Sequence, residues 1–292
     1  MANTRELRRR IKSVKNTSQI TKAMQMVAAT KMRKAQMQAT NGRPYAENLS
    51  ASLQRLLPRV DSKAHLLLNS NNIEVTGVIF LSTDKGLVGA LNTNLMRILA
   101  SQGTPGSVFY TVGKKGRLYV VKTGGDLKAD FESVNTITFR QAKILAKLIM
   151  DAFKAQEIGQ AYIVYPHFIS ILRQEPRKVK LLPIELQKLD VGSERMDDEV
   201  GSWKLEGEEF LFEPGPDALL DYLLIHHVEE QIYQALLETK ASEHSARMMA
   251  MQNATDNAKE LVEDLTLTYN QTRQSAITTE LLEITTAQVA MQ

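Results

Sequence analysis

The sequence predicts an α+β composite: a long antiparallel coiled coil of N- and C-terminal helices, plus a central α/β domain that is Rossmann-like with a mainly parallel sheet. Three observations carry this. Residues 217–292 contain no glycine and no proline, residues 1–41 contain none either, and between them short apolar runs alternate with helical ones. The expected boundaries are 1–58 for the N-terminal coiled-coil helix, 59–213 for the central domain and 214–292 for the C-terminal coiled-coil helix. A helix of 76 residues would run on the order of 110 Å at about 1.5 Å per residue. A compact domain made of the ~150 central residues would be only about 40 Å across. Most of the last helix therefore has to meet another helix or another protein.

In the first helix Leu7, Ile11, Val14, Ile20, Met24, Val27 and Ala35 fall on one drifting helical stripe. Gly42 and Pro44 interrupt or kink it, and Tyr45 to Leu57 can continue helical as far as Pro58. The middle reads as a buried strand from Val75 to Leu81, a helix from Leu91 to Ala100, a strand from Ser107 to Gly113, a helix from Thr138 to Gln156 and a strand from Ala161 to Tyr165. That alternation suggests a parallel α/β domain. A weaker stretch, Lys178 to Ile184, and a loop rich in acids and glycine around Asp197 to Gly207 lead to Phe210-Leu211-Phe212. Pro214-Gly215-Pro216-Asp217 then ends the domain and starts the last helix. Along that helix Ile225, Val228, Ile232, Ala235, Thr239, Ser242, Ala246 and Met249 keep the three-and-four spacing of a two-stranded seam, but the same register then meets Asn253, Asp256, Glu260 and Glu263. The seam is expected to break there. Its Ala, Ser and Thr content implies close helix approach and a weaker pair than large residues would give.

Composition narrows the function. There is no cysteine, hence no disulfide, thiolate metal site or cysteine nucleophile, and no stretch approaches the roughly 18 apolar residues of a membrane span. Any membrane link is expected through partners. The net charge of +3 conceals a separation: residues 1–34 carry ten basic side chains against Glu6, a balance of +9, while residues 217–292 carry four basic and twelve acidic ones, a balance of −8. The two ends are electrostatically complementary.

No catalytic constellation is found. Thr83-Asp84-Lys85-Gly86-Leu87-Val88-Gly89-Ala90 follows a strand and opens a helix, where a phosphate loop would sit, yet it lacks the Gly-x-x-x-x-Gly-Lys-Ser/Thr spacing. Gly113-Lys114-Lys115-Gly116 is too short to cradle phosphates, and these glycines read as turn residues. His226 and His227 point about 100° apart around a helix, Glu230 makes one weak pairing with His227, and His65, His167 and His244 are scattered, so no metal site is expected. Trp203 lies in a polar loop. Single-strand nucleic-acid binding would need aromatic platforms beside the basic first helix, and residues 1–44 contain no Phe, Tyr or Trp. Duplex binding by charge alone stays open, as does a helical-hairpin scaffold.

Ile11-Lys12-Ser13-Val14-Lys15-Asn16-Thr17-Ser18-Gln19-Ile20-Thr21-Lys22-Ala23-Met24-Gln25-Met26-Val27-Ala28-Ala29 closely resembles the N-terminal signature of the F-type ATP synthase gamma subunit. The C-terminal stretches Ser242 to Met251, Ala254 to Asn257 and Tyr269 to Leu281 look like that family's C-terminal signature, and Ser82 to Asn92 is similar to its central motif. The resemblance covers essentially the whole chain and is of bacterial type. Many members carry cysteine where this chain has Val88, and the photosynthetic forms add a cysteine-bearing insert, so thiol regulation is excluded here.

The resemblance implies a rotor shaft: a non-catalytic central-stalk subunit of a proton-translocating F1Fo ATP synthase, peripheral on the cytoplasmic face of the bacterial inner membrane. Implied partners are the alpha and beta subunits of the F1 hexamer, the epsilon subunit and the c-ring of Fo; no cofactor and no nucleic acid is implied. Arg273 and Gln274 match the pair that hydrogen-bonds a loop of the beta subunit, and Lys22 with Met24 lies where the first helix passes the acidic levers of beta. Ile277, Leu281, Leu282 and Ile284 suit an apolar bearing near the closed end of the hexamer. Proline at Ala246 is expected to block assembly, because it removes a hydrogen bond inside the last helix at a cost of roughly 3 kcal/mol or more. Circular dichroism and co-purification check this, and normal assembly with unaltered helicity would overturn it.

Overall fold

The computed structural model describes residues 4–56, 60, 65–71, 73–101, 106–134, 136–184 and 215–290. The expected boundaries at 58/59 and 213/214, the loop with Trp203 and the run Phe210-Leu211-Phe212 lie outside the described residues. The elements in order are α1 (Thr4–Leu56), β1 (Thr76–Leu81), α2 (Leu91–Ser101), β2 (Val108–Val112), α3 (Lys114–Lys122), β3 (Asp126–Phe131), α4 (Phe139–Lys154), β4 (Gln160–Phe168), β5 (Gln174–Leu182) and α5 (Pro216–Ala290). They fall into two compact units: Met1–Thr30 with Ser245–Gln292, and Lys31–His244.

The first unit is a helical pair. Up to Thr30 the inward positions of α1 include Thr4, Leu7, Ile11, Val14, Ser18, Thr21, Gln25 and Ala28, in three-and-four alternation, with Ala29 beside Ala28. From Met251 on, those of α5 include Met251, Thr255, Ala258, Val262, Leu265, Tyr269 and Thr272, with the same spacing, and Ala254 beside Thr255. The Thr21 and Thr255 hydroxyls meet at 2.7 Å and fix the register. With the helices antiparallel, that contact sets Thr4 opposite Thr272, Leu7 opposite Tyr269, Ile11 opposite Leu265 and Gln25 opposite Met251.

One expectation needs correction here. Ile20, Met24 and Val27 are not on the seam; they are 56%, 42% and 57% exposed, because the seam follows the heptad through the polar Ser18, Thr21 and Gln25. On α5 the expected register does end where it meets Asn253, Asp256, Glu260 and Glu263, all of them exposed, and the pairing surface is carried out of phase with it by Met251, Thr255, Ala258, Val262 and Leu265.

The second unit is built on a five-stranded sheet of order β3-β2-β1-β4-β5, parallel except for the antiparallel pair β4–β5. β1 is buried on both faces, as a central parallel strand requires. Its Ile79 and Leu81 face a large cluster containing Leu53 and Leu56 of α1, Ile149 and Phe153 of α4, and Leu224, Val228 and Ile232 of α5. Val78 and Phe80 face the opposite cluster, with Leu95 of α2 and Val120 of α3. Pro44 lies within continuous α1, so the interruption expected around Gly42 and Pro44 does not occur. Pro176 sits in β5, whose place at the sheet edge tolerates a missing ladder donor.

The weak stretch at Lys178 extends to a strand of nine residues. Two elements, α3 and β3, have no counterpart in the sequence reading. β3 reads DLKADF, with Leu127, Ala129 and Phe131 inward and Asp126, Lys128 and Asp130 outward; that alternation was its signal, but acids and lysine are poor strand formers.

Gly113, the N-cap of α3, has φ +100°, and a Cβ there would lie 2.4 Å from the Ser82 carbonyl oxygen. Gly113→Ala is expected to lower stability by roughly 2 kcal/mol or more, read by urea unfolding; an unchanged midpoint would contradict this packing.

Candidate partner-binding surface

The loop that most resembles a ligand site is closed by the chain itself. Asp84 leaves the carboxyl end of β1 and accepts hydrogen bonds from two backbone N–H groups, Lys114 at 2.9 Å and Ser133 at 3.0 Å. It thereby joins the carboxyl ends of β1, β2 and β3 and puts a negative charge at the first turn of α3, the placement the helix dipole favours. The Ser82 hydroxyl accepts from Gly116 N–H at 2.8 Å, and Asn92 holds the Thr83 hydroxyl at 2.8 Å. Open α/β sheets bind ligands at this edge; here a carboxylate of the chain occupies the slot an anion would take. Gly113-Lys114-Lys115-Gly116 is the start of α3, and a Cβ at Gly116 would lie 2.7 Å from both Phe80 and Ser82 Oγ.

Nor do the histidines converge. His226 Nε2 meets the Tyr45 hydroxyl at 2.6 Å, His65 contacts Asp221 at 2.5 Å, and His167 contacts Glu238 at 2.6 Å. His227 is buried, and that burial, with His226 beside it, pushes its pKa down to about 4. Among the described residues no cluster of three or more His, Asp or Glu side chains could hold a metal ion, and no helix is long and apolar enough to cross a membrane.

What the first unit does offer is helix surface with nothing of its own chain against it among the described residues. The last half-buried position described on α5 is Thr272, opposite Thr4, and α5 continues to Ala290. Those eighteen residues span about 27 Å at 1.5 Å each. Every side chain from Arg273 to Gln288 is exposed. Gln274, Ile277, Leu281 and Ile284 recur at three- and four-residue spacing and form one stripe, with Leu282 beside it; all four apolar members are about half exposed or more. Such a stripe in water is the mark of an interaction surface.

The hydroxyls of this region need no partner. Those of Thr266, Thr268, Thr272, Thr278 and Thr279 donate to backbone carbonyls four residues earlier at 2.6–3.0 Å, which leaves the methyls outward. On α1, Ile20, Met24 and Val27 form a second exposed stripe at the same spacing, with Lys22 exposed alongside. Lys22 and Met24 are thus brought to one surface and Arg273 and Gln274 to another.

Arg10–Glu6 at 2.9 Å and Lys259–Asp256 at 3.1 Å each lie within one helix, and Arg8, Arg9, Lys12 and Lys15 are exposed.

Residues 3–291 match the family model described as ATP synthase. The chain is 45% identical over 296 residues to the ATP synthase gamma chain of Methylacidiphilum infernorum, covering all of both chains, and 41% identical over 292 residues to that of Opitutus terrae, covering 99% of each. Among solved structures it is similar to a chain of the Tetrahymena thermophila mitochondrial ATP synthase central stalk and c-ring, with TM-score 0.60 and 27% identity over 80% of this chain and 99% of that one. A chain of the Euglena gracilis mitochondrial ATP synthase shares the fold at TM-score 0.68, with 23% identity over 99% and 94%.

Truncation after Thr272 is expected to change the unfolding free energy of the isolated chain by less than about 0.5 kcal/mol, because every described side chain it removes is exposed. Urea unfolding followed by circular dichroism checks this; a loss of 2 kcal/mol would show that the end of α5 is buried in its own chain.

Proposed function

This chain belongs to the ATP synthase gamma-chain family, and from that premise we propose that it is the central-stalk rotor of a proton-translocating F1Fo ATP synthase, transmitting torque between the membrane c-ring and the hexamer of alternating alpha and beta subunits. The observation that carries the reading is the helical pair whose own seam ends at Thr272 while α5 goes on to Ala290 with an apolar stripe in solvent. A surrounding protein has to bury that stripe. The hexamer receives this pair, and the α/β domain joins epsilon and the c-ring. Membrane association is indirect, through Fo, on the cytoplasmic face of the inner membrane.

The chain itself makes and breaks no bonds; ATP forms and is hydrolysed on the beta subunits. Its part is thermodynamic linkage. A pair of unlike helices presents a different face to each of three catalytic subunits, so each shaft angle favours a different conformation and nucleotide affinity at each site. The coupling is reciprocal: if rotation changes nucleotide affinity, binding and hydrolysis bias rotation, and one part serves both directions. Lys22 and Met24 on the exposed stripe of α1 meet the acidic levers of beta. Opposite charge registers and steers such contacts even where each exposed pair contributes only about 0 to 1 kcal/mol. Arg273 and Gln274 hydrogen-bond a beta-subunit loop, and Ile277, Leu281, Leu282 and Ile284 form the bearing beyond it.

Replacing Arg273 and Gln274 together by alanine is expected to lower coupled ATP synthesis several-fold with the fold of the isolated chain intact, since both side chains are exposed. Synthesis is measured in membranes containing the fully assembled variant complex, and an unchanged rate there would remove the assignment.

A further inference from the structure

Glu230 of α5 is only 6% exposed, in the second unit, and among the described residues it has no ion pair and no hydrogen bond. One turn further on, Gln234 is held by its amide: Nε2 donates to the Ala39 carbonyl of α1 and to Glu238 Oε1, both at 3.3 Å. That fixes which way Oε1 points, and Gln234 Oε1 is a buried acceptor without a donor. Both oxygens converge on one spot: a Cβ on Gly42 of α1 would lie 3.3 Å from Gln234 Oε1 and 4.0 Å from Glu230 Oε1. Gly42 leaves α5 room to approach α1 here and supplies no side chain to either group.

A carboxylate in this place would bring a second acceptor beside Gln234 Oε1, which already lacks a donor, and an unmet buried polar group is costly. A carboxylic acid removes the conflict, because its O–H is the donor that Gln234 Oε1 lacks. We propose that Glu230 is a proton-binding group, neutral in the folded chain with its O–H donating to Gln234 Oε1, and that its ionisation as pH rises loosens α5 from α1 beside Gly42.

The surroundings agree. Burial pushes the Glu230 pKa up to about 7. On α1, Tyr45 has its own pKa raised by burial and then by Glu230. From β4, Tyr165 lines the same cavity, and its hydroxyl is engaged by Arg177 of β5. Lys178 sits over the Tyr162 ring at 4.3 Å, and Lys180 also lines the cavity. On α5 itself, His227 is kept neutral and Glu229 lies near Lys143 of α4 at 3.8 Å. The cavity, about 670 Å³, gives water a way to the carboxylate once it forms.

Because the folded-state pKa lies above the unfolded value, the stabilisation is full below about pH 4.5 and is lost as pH rises through about 7. The test uses the full chain. Urea unfolding between pH 5 and 9 should show the folding equilibrium constant of the wild type falling relative to that of Glu230→Gln, which keeps a donor for Gln234, by about a hundred-fold in all. In the wild-type chain, carboxyl NMR of labelled glutamate should show one resonance titrating above pH 6. This second measurement stands even if the variant folds poorly. Parallel stability curves, or every glutamate titrating near 4.5, would overturn the proposal.

Discussion

The constraint on which the first unit rests is that an α-helix satisfies its own backbone. Each N–H and C=O from the second turn on is paired within the segment, so a stretch such as Arg273–Ala290 can stand in water without a neighbour. A strand in that position would present an open ladder edge and invite pairing. The threonines extend the same economy to side chains, turning their hydroxyls back onto carbonyls of the preceding turn. What faces outward is then methyl and methylene surface, interrupted by Arg273 and by glutamates. Stability of the helix and availability of its surface come from the same hydrogen bonds.

In the second unit the corresponding device is the carboxylate of Asp84, which draws the ends of three parallel strands together through two backbone N–H groups. A sheet of this order has the shape that elsewhere receives a nucleotide. With Asp84 at the start of α3 and Ser82 bonded to Gly116, the edge is here a joint that stiffens the domain.

Much of this was readable from the residues alone. The glycine- and proline-free ends are helices because nothing stops them, and Leu7, Ile11 and Val14 lie on the seam because large apolar residues at heptad spacing leave few alternatives. The seam becomes unreadable where it turns polar. Ser18, Thr21 and Gln25 carry no hydrophobic signal, so Ile20, Met24 and Val27 draw the pattern onto the wrong face. Lys22 was singled out by likeness to a family and not by periodicity. On α5 the sequence did show where the register ends, because Asn253, Asp256, Glu260 and Glu263 are too polar to continue it, and they are exposed. β3 was hidden by its charges, and Glu230 by distance, since Gly42 and Ala39 lie far away along the chain.

The unequal lengths of the two helices divide the first unit by symmetry. Where α1 and α5 run side by side the cross-section is oblong, so a sleeve around it can distinguish one angle of turning from another. Beyond Thr272 a single helix remains, nearly round and about 10 Å wide, and a round pin looks much the same to its socket at every angle. Information about orientation therefore has to be read from the doubled portion, while the solitary tip is suited to keeping the axis centred.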